Sequence, residues 1–282
     1  MKVTRFAPSP SGRLHLGHAY SAVLGHHLAR SSGGSFRLRI EDLDPGRCRP
    51  EFVGAIFEDL AWLGLDHDGQ VLVQSERSHV YSAALEELKR RGLVYPCFCT
   101  RSDIAGAMSA PHGVPSGHYP GSCRHLADDP ERRATSPHSW RLDAGKAIGI
   151  AGLPTWTEEG RGKRQASRGD IDDAILARKD APSSYHLACV VDDAASRVSL
   201  VVRGADLASS TPIQRLLQML LDLPDPAYFN HALVMHEDGR RLAKRDLAPT
   251  LDAMRESGVD GKSLRKRLLE GQLPLGFRLG EA

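Results

Sequence analysis

Short apolar runs alternate with amphipathic ones along most of the chain, and their order predicts an α/β protein. Lys2 to Ala7 reads as a short buried strand, and from His18 onward Ala19, Tyr20, Val23, Leu24, His27 and Leu28 recur at helical spacing. After the turn signal "SSGGS", the segment "FRLRIEDLD" (Phe36 to Asp44) alternates apolar and charged residues as a strand. Pro50 to Leu63 then predicts an amphipathic helix with Phe52, Ile56, Phe57 and Leu60 inward, and a further helix spans about Ser78 to Arg91. From Cys97 to about Gly169 the periodicity decays into glycine, proline, serine and charge, which predicts an insertion. Regular signals return at "YHLACVVDD" (Tyr185 to Asp193) and "RVSLVVRG" (Arg197 to Gly204). These read as two apolar strands joined by a short polar turn, with a helix from Ser209 to Leu221 behind them. The expected organisation is a first catalytic half over 1–96, the insertion over 97–169, a second half over 170–232 and a helical tail over 233–282.

Composition narrows the class. With 282 residues and 41% hydrophobic content the chain can bury a real core. The start "MKVTRFAPSP" holds no apolar leader and no segment reaches the ~18 apolar residues of a membrane span, so a cytoplasmic protein with no membrane partner is expected. Five cysteines are an odd count, which favours metal ligation or plain burial over a disulfide framework. A net charge of +2 neither demands nor excludes a nucleic acid.

The chemistry concentrates in two places. In "RFAPSPSGRLHLGHAY" (Arg5 to Tyr20) a glycine-containing turn joins the first strand to the first helix. There, backbone amides and the helix N-terminus face an anion, and His15 and His18 fall near one phosphate-sized target. No G-x-x-x-x-G-K-[ST] loop exists; "DGKS" at Asp260 to Ser263 lacks its first glycine. The second place is "CFC" (Cys97, Cys99) followed by "GHYPGSC", which ends at Cys123. Three sulfur ligands leave one tetrahedral position for Tyr119, His118 or His125. Cys189, in an apolar strand, and Cys48, near a helix start, read as structural.

"PSPSGRLHLGH" (Pro8 to His18) resembles the HIGH motif of class I aminoacyl-tRNA synthetases in its glutamyl and glutaminyl form. "RIEDLDPGR" (Arg39 to Arg47), the stretch Tyr185 to Gln214 and "RRLAKRD" (Arg240 to Asp246) resemble the family's other segments in the right order, so the likeness runs from residue 5 to about 246. The resemblance implies a Rossmann-type catalytic domain that activates an amino acid with Mg-ATP. It assigns His15, His18 and Lys244 to catalysis, and Gly17 with those three to ATP. Lys244 lies in "RLAKR", which resembles the KMSKS loop with Arg241 and Ala243 as departures. Arg5, Phe6, Ala7, Pro8, Ser9, Glu41, Tyr185 and Arg203 match the family's glutamate site. Charge complementarity agrees, since an arginine, Arg5 or Arg203, can grip a carboxylate bidentately while Glu41 accepts from an ammonium. The resemblance also implies one structural zinc, Zn2+, held by Cys97, Cys99, Tyr119 and Cys123.

Only 37 residues follow Arg245, fewer than the ~100 of a separate anticodon-recognition domain, so none is expected. The stretch Gly239 to Leu268 carries nine Lys or Arg against four Asp or Glu, which suits a phosphate backbone. This combination resembles the short paralogs of glutamyl-tRNA synthetase that attach glutamate to queuosine in the anticodon of tRNA(Asp). The implied partners are ATP, L-glutamate and tRNA(Asp) containing queuosine, with the chain a monomer. The competing readings are a truncated glutamyl-tRNA synthetase loading the 3′ end of tRNA(Glu), and a non-catalytic tRNA-binding module.

Overall fold

The computed structural model describes residues 1–100, 102–104, 119–127, 129–240, 242 and 249–280. The chain opens with β1 (Val3–Phe6), α1 (Leu16–Ser31), β2 (Ser35–Ile40), α2 (Pro50–Trp62), β3 (Leu72–Val73) and α3 (Ser78–Arg90). β4 (Val94–Cys97), α4 (Pro130–Thr135), β5 (Ser139–Leu142), α5 (Ala144–Ala151), β6 (Thr155–Glu158), β7 (Gly162–Gln165) and β8 (Ile175–Ala177) follow. The second half brings α6 (Tyr185–Ala195), β9 (Leu200–Gly204), α7 (Thr211–Leu220) and β10 (Ala227–His231). The tail adds β11 (Leu233–His236), α8 (Leu251–Glu256), α9 (Gly261–Leu269) and β12 (Phe277–Gly280).

β1 pairs in parallel with β2, and β2 with β3, because α1 and α2 return the chain across the sheet. β9, β10 and β6 are likewise parallel. The two sets meet where β9 lies against β1, with the Ser199 N–H donating to the Val3 carbonyl at 2.9 Å. The chain leaves β1 in one direction and β9 in the other, so a crevice opens at their carboxyl ends, where open α/β sheets bind ligands.

α1 buries Leu16, Ala19, Ala22 and Val23 on the first sheet and receives Leu251, Leu264 and Leu268 from the tail. That docking is close: a Cβ at Gly261 would stand 2.2 Å from the Trp62 carbonyl oxygen, so only glycine fits. A second core joins Tyr81, Leu88, Leu142, Leu187 and Leu216 from α3, β5, α6 and α7.

Four sequence expectations are corrected. Tyr185 to Asp193 is helix, not strand, and Cys189 lies within it. Leu187, Ala188, Val190 and Val191 are all buried, and a helix enclosed on every side shows the same continuous apolar run as a buried strand. The strand after the first turn ends at Ile40, leaving Glu41 to Asp44 as loop. Phe57 faces solvent at 39% exposure, while Asp59 takes an inward position and pairs with Arg255 at 3.1 Å. The stretch from Cys97 to Gly169 is not irregular throughout, since it contributes β5 to an antiparallel sheet β4-β5-β8. Strands of three and four residues are too short to display a period. Among the described residues, no helix is long and apolar enough to cross a membrane.

Candidate active site and metal centre

The entry to α1 is built by its own histidines. His15 is the N-cap in extended conformation, and its Nδ1 accepts the Gly17 N–H at 3.2 Å. His18 Nδ1 accepts the His15 N–H at 3.2 Å, completing a reciprocal capping box. Each Nδ1 therefore presents its lone pair to the backbone, which places the hydrogen of each neutral ring on Nε2. A Cβ at Gly17 would lie 3.1 Å from His15 Cε1, so a larger residue presses on the cap.

A cavity of about 360 Å³ opens at this helix end, over the carboxyl ends of β1 and β9. Arg5, Phe6, Ala7, Pro8, Ser9, His15, Gly17, His18, Glu41, Tyr185 and Arg203 all line it. Of the residues singled out from sequence for glutamate and ATP, Lys244 is the exception: it lies outside the described residues, as do Arg241 and Ala243. Sequence reasoning missed Asp206, Leu207, His231, Leu233, Val234 and Leu242, which complete the wall with Ser21, Val202 and Gly204.

The two candidate arginines differ in their partners. Arg5 is buried, with Nε donating to Asp193 Oδ1 at 3.1 Å and Nη1 to the Val202 carbonyl at 3.0 Å. Arg39 donates through Nη1 to the same Asp193 oxygen at 2.5 Å and through Nη2 to Glu41 Oε1 at 3.0 Å. Two guanidinium groups and two carboxylates thus balance. Burial would raise the Asp193 carboxyl, but Arg5 and Arg39 hold it down at about 2. At Glu41 burial prevails and raises the carboxyl despite Arg39. Arg203 has neutral partners: Gln214 Oε1 at 2.7 Å, Thr211 Oγ1 at 2.7 Å and Asn230 Oδ1 at 3.3 Å. No carboxylate among the described residues pairs with it, so its hydrogen-bond partners are all neutral. Burial raises the phenol of Tyr185, which remains a donor.

The cysteines converge in the insertion. The sulfurs of Cys97, Cys99 and Cys123 lie within 4.8 Å of one another. Tyr119 Oη stands 3.2 Å from Cys97 Sγ and 3.4 Å from Cys99 Sγ, and Cys99 and Cys123 are 3.5 Å apart. A tetrahedron with metal–sulfur bonds of about 2.3 Å has sulfur–sulfur edges of about 3.8 Å, so the donor set fits a metal ion such as zinc. Burial pushes the Cys99 thiol up to about 11, so a bound cation would have to displace its proton. The Arg141 guanidinium stacks 3.7 Å above the Tyr119 ring, and the Tyr119 N–H donates to Asp172 Oδ2 at 2.6 Å. His125 stands outside the sulfur group, and His118 lies outside the described residues.

The chain matches the family model "tRNA synthetases class I (E and Q), catalytic domain" over residues 2–279. It is 44% identical over 273 residues to a Rhodobacter capsulatus protein named glutamyl-Q tRNA(Asp) synthetase, covering 94% of this chain and 98% of that one. It is 48% identical over 257 residues to a Nocardia farcinica protein of the same name, covering 90% of this chain and 79% of that one. A crystal structure of a glutamate tRNA ligase from Elizabethkingia meningosepticum, in complex with its amino acid, superposes with TM-score 0.80 at 25% identity, over 95% of this chain. The chain spans 60% of the length of that ligase. The chain therefore belongs to the class I tRNA synthetases of the E and Q branch.

Proposed function

We propose that the protein activates L-glutamate with Mg-ATP to glutamyl-adenylate and transfers the glutamate to queuosine in the anticodon of tRNA(Asp). The observation that carries the amino-acid choice is Arg203, a buried guanidinium on the cavity wall held in place by neutral groups, with no ion-paired counter-charge among the described residues. A side-chain carboxylate supplies that charge in bidentate form, whereas glutamine leaves it unmet. Glu41, fixed by Arg39, accepts from the substrate ammonium, and Tyr185 donates a hydroxyl hydrogen bond.

The phosphates of ATP lie at the N-terminus of α1, where the Nε2–H groups of His15 and His18 and the ammonium of Lys244 stabilise charge as pyrophosphate leaves. In the second step a ring hydroxyl oxygen attacks the carbonyl carbon of the adenylate. The bond from that carbon to the phosphate oxygen breaks, and AMP departs with the hydroxyl proton on its phosphate. Zinc on Cys97, Cys99, Tyr119 and Cys123 has a structural role, because four protein ligands leave no open position for a reacting water.

The acceptor rests on the relatives named for tRNA(Asp), which share 44% and 48% identity with this chain. Offering labelled glutamate and ATP with tRNA(Asp), with and without queuosine, and with tRNA(Glu) tests it. Label on the queuosine form alone supports the proposal. Label on tRNA(Glu) instead establishes the truncated-synthetase reading.

A further inference from the structure

A second cavity, of about 570 Å³, adjoins the first. Tyr185 stands in the wall of both. The turn over Ala205–Ser210 also serves both, with Asp206 and Leu207 facing the first cavity and Ser209 and Ser210 the second. The opposite wall comes from Arg141 in the insertion and from Asp170 and Asp172, which follow it directly.

This second cavity gathers buried polar atoms that have no partner among the described residues. Ser184 is the N-cap of α6 and only 8% exposed, yet its hydroxyl caps nothing and its Oγ is unpartnered. His186 Nδ1 and Arg141 Nε are in the same condition, and both residues line the cavity. Buried polar groups are ordinarily satisfied, so three exceptions around one space point to a ligand that meets them. Burial, reinforced by Arg203, pushes the His186 imidazole down to about 4, so it is neutral near pH 7 and offers one donor and one acceptor.

We propose that this cavity is the acceptor subsite, and that it takes a five-membered ring bearing two neighbouring hydroxyls and a protonated secondary amine. The inference rests on the function proposed above, since queuosine carries such a ring. Ser184, His186 and the hydroxyls of Ser209 and Ser210 suit the diol. Asp170, exposed at the rim, suits the amine; Asp172 adds negative charge while its oxygens hold the N–H groups of Tyr119 and Asp173. A terminal ribose has the same diol and no amine, so Asp170 favours the modified base. Tyr185 is the partition across which the ring hydroxyl meets the activated glutamate.

The test uses Ser184→Ala and Asp170→Asn in the full zinc-loaded chain. Neither should disturb folding. The Ser184 hydroxyl caps nothing, and an asparagine oxygen can still accept the Ser167 N–H that Asp170 Oδ2 takes at 2.7 Å. Two quantities are measured: glutamate-dependent pyrophosphate exchange without tRNA, and single-turnover transfer from preformed glutamyl-adenylate to queuosine-containing tRNA(Asp). We expect exchange within about twofold of wild type and transfer slowed about tenfold or more in both variants, the loss of one hydrogen bond to substrate. Unchanged transfer in either variant, or exchange falling in step with transfer, overturns the subsite. A wild-type protein that loads tRNA(Glu) and not queuosine overturns the proposed function, and the amine-bearing occupant with it.

Discussion

The imidazole rings of His15 and His18 lie 3.8 Å apart, and each takes a backbone N–H on its Nδ1 at the first turn of one helix. The pair is therefore a cap, whatever else it does. Both residues also line the cavity, so the bonds that stabilise α1 fix the orientation of the two imidazoles there.

These roles separate by substitution. Asparagine can accept the same N–H and is a good N-cap, but it lacks the distal donor. His15→Asn and His18→Asn should each leave the unfolding temperature almost unchanged and lower kcat for pyrophosphate exchange about 10²- to 10³-fold, the usual effect of removing one donor to developing charge. Thermal unfolding and exchange kinetics on the same preparations check this. Activity lost only in proportion to stability would reduce the histidines to caps.

Arg203→Ala removes the guanidinium that no carboxylate among the described residues pairs with, while leaving the helix end intact. Hydrogen bonds to charged groups contribute about 1.5–3 kcal/mol each, so KM for glutamate should rise at least about tenfold with KM for ATP little changed. If both constants rise together, Arg203 supports the fold and does not choose the amino acid.

Asp193 ties Arg5 to Arg39, and its carboxyl is held at about 2. A folded value below the unfolded value of about 3.9 gives stability that is complete above that pH and lost as pH falls towards 2. Asp193→Asn leaves two buried guanidinium groups short of a counter-charge, which should cost about 3–5 kcal/mol near pH 7. Urea unfolding of both proteins at pH 7 and pH 3 should show the gap narrowing in acid. A constant gap would contradict the charge balance.

The cysteine cluster borders the second cavity through Tyr119 and Asp172. One zinc per chain is expected, and Cys97→Ser should lose it, with a lower unfolding temperature. Metal analysis showing full occupancy in Cys97→Ser would refute the ligand set. Chelation should also slow transfer more than exchange, because the sulfur cluster lies in the insertion and none of its residues lines the first cavity.

Much of this site was legible because its signals are local. A strand, a glycine turn and a helix within twenty residues announce an anion site, and C-x-C with a later Y-x3-C announces a ligand set. Arg39 and Asp193 were not legible in the same way. They are 154 positions apart, and each makes sense only as the other's partner. A charge inside an apolar run, as at Arg39 in "FRLRI" and Asp193 after "ACVV", was the available clue, since such a charge must find a counterion. His231 and Asp206 enter the cavity through the placement of β10 and of the turn after β9, which no spacing encodes. The misread of Tyr185 to Asp193 has one cause, that a run buried on all sides has no period to read.

Activated glutamate is proposed to pass to queuosine and not to a terminal ribose. This transfer is tested by incubating the protein with labelled glutamate, ATP and queuosine-containing tRNA(Asp), digesting the product with nuclease, and locating the label. The account predicts label on the anticodon fragment, released by mild alkali as an ester and absent when the tRNA lacks queuosine. Label on the 3′-terminal adenosine, or on tRNA(Glu), would contradict it.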